Sequence, residues 1–578
     1  VGSVNLRSLD VVDRIDTAFD EVTHSVDIRR PTQTEGWHNI RNLGFFLWRL
    51  QSYPIAGATV VPSAEYSDGF YFSPLGNPAV LFTNPQPSSD DSALSSEHNV
   101  AGPIRPLAFF QNPQRYYGWE SDKSLAIYRG DRVDPAQLIS LEEVMCKDLS
   151  DWAEPPSGKV AVDVTNGRIA FSPGETPAQG ITVSYHYGFS ADIGGGPYDR
   201  RESVEKVTND DWHVIVAKHQ PEPVPAQWRT SVGAAIDDWD PMVHPRAVIT
   251  IADNATYDES FTVNLEDAQH LIIQADNRNR PVLRFLDETD RPTTLAISGG
   301  SGENATLSLN GVVIVGAVTI EAQSLGKLEI THSTMVPGWS LDERGLPLFQ
   351  DAASIEAASD NAVLEVFIDS SIVGPLRLPR DIEGLHINDS IVDSPDRGEE
   401  DSPALGVALS ESSAGDDPGP VTTVERSTLL GSVVVKTMEL GSDSIFAQPL
   451  TASRRQQGCL RYSYVDDLTS VTPRRFRCQP DLAIETRKKQ LDVEELAAAE
   501  EALLRARIRP EFTSVRYGNP GYAQLSFDAA QAIKTGAQSE AEMGVFEHLY
   551  QPQREANLKI RLQEYMPYGL QAGLIFVT

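Results

Sequence analysis

Ile368-Asp-Ser-Ser371-Ile-Val-Gly and, nineteen residues later, Ile387-Asn-Asp-Ser390-Ile-Val-Asp are two statements of one phrase. Three more copies lie around them: Ile330-Thr-His-Ser333-Thr-Met-Val, Val424-Glu-Arg-Ser427-Thr-Leu-Leu and Gly441-Ser-Asp-Ser444-Ile-Phe-Ala. The five serines fall 38, 19, 37 and 17 residues apart, which is one or two periods of roughly 19 and fits the rung of a β-solenoid. An aliphatic, two polar residues, a serine and another aliphatic make a short strand and the corner after it. One such coil cannot bury its own apolar side, whereas stacked coils pair their strands in parallel, roughly 4.8 Å apart, and line up aliphatics inside. Serine hydroxyls in equivalent places can then hydrogen-bond along a ladder.

Upstream, Ala247-Val-Ile-Thr-Ile251, Leu271-Ile-Ile-Gln274, Val282-Leu-Arg-Phe285 and Leu307-Ser-Leu-Asn-Gly-Val-Val-Ile-Val-Gly316 continue the theme. Residues 245–450 therefore read as a parallel β-helix, right-handed by the general rule for parallel crossovers. A β-sandwich of short strands is the alternative, although sandwich strands seldom recur in one register with one chemistry. Residues 339–361 and 394–420 interrupt the period. The second interruption is acidic and rich in breakers and is expected to loop out from a corner, as a solvated loop or on a binding face.

The 578 residues carry 48 Lys and Arg against 82 Asp and Glu, a net charge of −34. That balance argues against a nucleic-acid backbone or an anionic membrane as the main partner, since both need a positive field. A basic cluster, Pro473-Arg-Arg-Phe-Arg-Cys478, is a candidate contact for an anion or a protein, with salt bridges to acidic neighbours as the simpler reading. No apolar run is long enough to span a membrane, and the first ten residues lack a signal-peptide pattern. Cytoplasmic synthesis and assembly are expected, with action outside the cell or at a membrane left open. Cys146, Cys459 and Cys478 are an odd number without zinc spacing, so free thiols are the default and a Cys459–Cys478 pair the alternative.

The fold class expected is mainly β: a parallel β-helix core with an N-terminal mixed region and a C-terminal helical region. Four segments follow: an α+β docking region (1–100), a mainly β domain (101–240), the β-helix (245–450) and a helical region with a terminal strand (451–578). Residues 39–50 read as an amphipathic helix or a buried strand, with Leu43, Phe46, Leu47 and Leu50 on one stripe. Asn166-Gly167 marks a two-residue hairpin turn between 160–165 and 168–171, and 182–187 alternates as a further strand. Gly194-Gly-Gly-Pro197 lacks the setting of a phosphate cradle and reads as a turn. Asp492 with Glu495 predicts a capping-box start to a helix over 491–507. Further helices are expected over 522–537 and 553–565, and an apolar strand over 572–578 that must be tied down in its own domain or on a partner.

Catalytic chemistry is hard to find. The double acids Asp237-Asp238 and Asp466-Asp467 lie at or beyond the coil's edges, Asp416-Asp417 sits in an interruption, and the only lysines in the coil are Lys327 and Lys436. His332 and His386 occupy neighbouring phrase positions expected to face solvent rather than bind metal. No Ser-His-Asp elbow, zinc-protease helix or P-loop is visible. No catalytic, cofactor-binding or metal residue is assigned and no cofactor is expected.

Three stretches add a resemblance: 39–50, Tyr185-His-Tyr-Gly-Phe-Ser-Ala-Asp-Ile-Gly-Gly-Gly-Pro-Tyr198, and Glu542-Met-Gly-Val-Phe-Glu-His-Leu-Tyr-Gln-Pro-Gln-Arg-Glu-Ala-Asn557. Together they resemble a family of uncharacterised bacterial proteins associated with contractile, phage-tail-like injection particles. The resemblance implies a non-enzymatic structural part, at the baseplate or its periphery, with baseplate, tube or sheath proteins as partners; a homo-oligomer or several copies per assembly are both open. It transfers no site residue. A polar helix entry that follows an aromatic cluster supplies the candidate protein interface: Gln551, Gln553, Arg554, Glu555 and Asn557. The alternative function is a carbohydrate-binding or carbohydrate-cleaving β-helix of the tailspike or pectin-lyase kind, which needs aligned aromatics and carboxylates along one face.

Overall fold

The computed structural model describes residues 42–87, 96–221, 223–299, 304–395, 406–465, 469–566 and 571–577. Strand (34%) outweighs helix (13%), and most strands belong to long parallel ladders. One ladder runs from Trp212–Val216 to Arg474–Phe476, a second from Thr256–Glu259 to Tyr464–Val465, and a third from Val263–Asn264 to Leu450–Ala452. The chain visits them in rotation. Glu365–Asp369 belongs to the first ladder, Ile372–Val373 to the second and Leu376–Arg377 to the third, and Gly384–Asn388 returns to the first beside Glu365–Asp369. This connectivity is compatible with a parallel β-helix or solenoid, and the described strands form no closed barrel.

Register puts like on like. Leu328, Val366 and Leu385 stack in one column and Ile330, Ile368, Ile387 and Val424 in another, all fully buried. A single apolar core runs the length of the ladders, from Val214 to Cys478. Each aliphatic thus gains cover from the coils above and below, which no isolated rung can supply.

The serines form a continuous hydrogen-bonded column at the corner between the first and second ladders. The backbone N–H of Ser333 donates to Ser371 Oγ (3.1 Å), Ser371 N–H to Ser390 Oγ (3.0 Å), Ser390 N–H to Ser427 Oγ (3.1 Å) and Ser427 N–H to Ser444 Oγ (3.1 Å). Each hydroxyl in turn donates to the carbonyl two residues before it, as Ser371 does to Asp369 and Ser427 to Glu425, both at 2.7 Å. The residue ahead of each serine takes a left-handed conformation: His332, Ser370, Asp389, Arg426 and Asp443 have φ between 44° and 54°. Ser463, preceded by Tyr462 at φ 48°, adds a sixth member. Cys478 ends the series, its thiol facing the Phe476 carbonyl and the Ser463 N–H, with burial pushing its pKa up to about 11. Cys459 and Cys478 are both free thiols, so the alternative pairing does not form.

Because serines 38 and 37 residues apart bond directly, every phrase is one coil from the next. The long intervals are insertions within a coil rather than skipped coils. The first leaves between Thr334–Met335 and Ile355–Ala357. The 394–420 interval is not wholly a loop: it contains the third-ladder strand Val407–Ser410, which pairs with Leu376–Arg377. Residues 396–405 and Asp466-Asp467 lie outside the described residues.

The second ladder is buried on both sides. Its outer residues Ile372, Ile391 and Leu430 pack against Ala191, Ile193, Tyr522, Val545 and Phe546, and Ile445 and Tyr464 pack against Ile484, Leu504 and Met543. Chain from before and after the coil thus meets on one face. Gly194–Gly196 is the contact point on the N-terminal side, where a Cβ on Gly195 would lie 2.7 Å from the Val312 carbonyl oxygen. The loop is a packing element.

Ahead of the coil, Gln51–Thr59, Ile181–Phe189 and Ala126–Arg129 form one antiparallel sheet, and a five-stranded sheet holds the hairpin Val160–Asp163/Arg168–Phe171. That hairpin has a four-residue connection, because Asp163 pairs with Arg168 and only Gly167 takes positive φ. Residues 42–47 are a strand, paired in parallel with the closing strand Gln571–Phe576. The terminal strand is thereby tied down within the chain.

The C-terminal region is not helical throughout. Asp481–Leu491, Ala498–Ile508 and Gln551–Tyr565 are helices, but within 522–537 only Gln531–Lys534 is. There Ala523 takes φ 55°, which ends any helix, and Tyr522, Ala529 and Ala530 bury themselves through irregular chain. Asp492 starts no helix. It adopts a left-handed cap at φ 55° and its N–H donates to the Lys488 and Lys489 carbonyls, closing the helix before it.

Candidate functional site: a charged cleft beside the first and last described strands

The entry strand Asn42–Leu47 and the closing strand Gln571–Phe576 lead into a cleft of about 490 Å3. Two aromatic rings and two cations build one side of it. Phe527 and Phe576 stack with centroids 4.6 Å apart. The Arg49 guanidinium lies 5.8 Å from the Phe576 centroid and the Lys534 ammonium 4.8 Å from that of Phe527. Both cations are anchored on backbone, Arg49 Nη1 donating to the Leu525 carbonyl (2.9 Å) and Lys534 Nζ to the Phe527 carbonyl (3.1 Å). Burial lowers the pKa of each, and cation–aromatic stacking offsets part of that cost.

Glu542 faces the same space with 7% of its surface exposed. Burial pushes its carboxyl up to about 7, against the opposing pull of Arg49 and Lys534. The cleft therefore sets two cations and a titratable carboxyl beside a pair of stacked aromatic rings.

Three of the five candidate interface residues line this cleft: Gln551, Arg554 and Glu555. The other two do not. Gln553 turns back to donate to the Ser539 carbonyl (3.0 Å), and Asn557 is exposed further along the helix. Glu555 also pairs with Lys559 one turn on (2.6 Å). The helix Gln551–Tyr565 buries none of its residues. Exposed apolar side chains continue from it onto the strand pair: Ile560, Tyr565, Phe46, Ile575 and Val577. Among the described residues no third strand joins this parallel pair, and parallel strands with exposed apolar side chains are usually covered.

Arg49, Phe527, Lys534, Glu542 and Phe576 were not legible as a group. They come from four separate stretches, and no spacing in the sequence links them.

The histidines sit elsewhere. His332 is tucked under Tyr198, whose hydroxyl lies 3.0 Å from Nδ1, and burial lowers its pKa to about 4. His386 is half-buried, stacked on Phe367 at 4.7 Å, with Nε2 3.2 Å from Glu365 Oε1. Outward acids of the coil are engaged locally, Asp389 with Arg426 (2.8 Å) and Asp258 with Arg284 (2.6 Å). Among the described residues no three His, Cys, Asp or Glu side chains converge as metal ligands do. No helix among them is long and apolar enough to cross a membrane.

The chain matches no protein-family model, and no curated protein or solved structure matches it.

Proposed function

We propose that this protein is a non-enzymatic structural component of a contractile, phage-tail-like injection particle, at the baseplate or its periphery. In this reading the ladders form a right-handed β-helix that acts as a rigid spacer. The cleft and the helix above it dock on baseplate, tube or sheath proteins. One observation carries the proposal. The three stretches that bear the family resemblance are separated by more than a hundred residues, yet each contributes to the same cleft: Leu47, Arg49 and Leu50 from the first, Ser190 from the second, Glu542, Leu549 and Arg554 from the third. Chain segments far apart in sequence thus share one exposed site, and the exposed apolar side chains beside it fit a protein partner.

The reading predicts no lyase or hydrolase turnover on a panel of polysaccharides. Robust turnover that disappears in Asp369→Asn or Glu365→Gln would replace it with the carbohydrate-active alternative.

A further inference from the structure

The two ends of the coil are finished differently. At the start, the helix Val232–Asp237 covers the core, with Val232 and Ala235 fully buried in it. At the far end the chain leaves the last rung into the helix Asp481–Leu491, whose Ile484 packs with Tyr464 and Ile445 of the second ladder. Arg474–Phe476 pairs only with Cys459–Arg461, and its other edge has no strand partner among the described residues. In this rung Arg475 stands opposite the inward residue Leu460. It closes the dry core with a charge, Nε donating to Thr472 Oγ1 (2.7 Å) and Nη1 to Asp481 (3.3 Å). The stack therefore stops here, as terminal solenoid repeats must.

The outward residues of the same rung have a different character. Arg474 is exposed and Phe476 is 54% exposed, leaning edge-on against Tyr462 at 5.7 Å. Arg477 lies exposed at the next corner, its guanidinium 5.8 Å from the Tyr462 ring. Residues 454–477 hold six arginines and two aspartates in a chain whose net charge is −34. An edge protected only against self-association needs charge and gains nothing from an exposed phenylalanine.

We propose that the last rung is a docking edge for an extended acidic segment of a partner protein, which adds a strand to Arg474–Phe476. Strand addition satisfies the open backbone groups, and same-face neighbours on adjacent strands set the specificity. The incoming segment carries a carboxylate beside Arg474 and an apolar residue two positions on, beside Phe476. A second copy docking through this same edge is disfavoured, since it would set arginine against arginine. This edge is independent of the cleft, and either assignment can fail alone.

The test is titration of the full chain with a short fluorescent peptide carrying aspartate two residues before isoleucine, against a control with lysine in place of aspartate. The expected result is saturable, salt-sensitive binding of the acidic peptide only. Affinity should fall by about tenfold or more in Arg474→Glu/Arg477→Glu, and separately in Phe476→Ser, with unchanged thermal unfolding of each variant. Equal binding by both peptides, no binding by either, or undiminished binding by the folded variants would overturn it. Concentration-dependent self-association abolished by Arg474→Glu would overturn it too, in favour of a second copy as occupant.

Discussion

The backbone N–H of Ser371 donates to the hydroxyl of Ser390 across 3.0 Å, and the two residues stand one coil apart. Ser390 Oγ accepts this bond and donates its own proton to the Asn388 carbonyl (2.5 Å), so a fully buried hydroxyl is satisfied on both sides. The same exchange repeats up the corner, which couples each coil to its neighbour through polar contacts as well as through the apolar core.

Ser390→Ala leaves the Ser371 N–H buried without its acceptor. A loss of about 1–3 kcal/mol is expected, the usual cost of an unsatisfied buried donor. It should appear as a lower midpoint in denaturant unfolding. Ser390→Cys should lose less, because a thiol already fills the equivalent place at Cys478.

The contact of Gly194–Gly196 with the coil tests how the flanking regions are seated. In Gly195→Ala the new methyl group meets the Val312 carbonyl oxygen and the Val313 side chain, both 2.7 Å away. Backbone cannot yield as a flexible side chain does, so overpacking of about 1–3 kcal/mol is expected. Hydrogen exchange should then rise in 189–198 while protection of the Ile330 and Ile368 column persists. Unchanged exchange in that loop would contradict the close seating.

Glu542 gives the cleft a pH dependence with a definite sign. Its folded pKa, about 7, lies above the ordinary glutamate value of 4.5, so the folded state holds the proton more tightly than the unfolded chain. This contribution is fully present below pH 4.5 and is lost as pH rises through about 7, an effect of up to about 3 kcal/mol. Glu542→Gln removes the titration. Thermal unfolding of the variant should gain on the wild type between pH 5 and pH 8, and parallel pH profiles would contradict the assignment.

The ladders were legible because their signal is periodic: one phrase, repeated at one corner, reports both the strand and its stacking. The length of each coil was less so, since Ser333 and Ser371 read as two periods apart and are in fact adjacent. The strand Asn42–Leu47 was ambiguous in isolation because its pairing partner lies more than five hundred residues away, at Gln571–Phe576. The 522–537 segment misled for a related reason. Its five alanines and Leu525 suit a helix, but the apolar outer face of the second ladder drew them into irregular packing instead. Of the residues lining the cleft, Gln551, Arg554 and Glu555 lie in the polar helix entry that the sequence singles out. Arg49 and Glu542 could not be linked to it, because only the fold brings them to that helix.

The most direct test of the docking role is affinity purification of the chain from its native host, with wild type compared against Arg554→Glu/Glu555→Arg. Mass spectrometry of the co-purifying proteins should find sheath, tube or baseplate components with the wild type and a marked depletion of them with the folded variant. Recovery of none of these from the wild type, or equal recovery by both, would contradict the account.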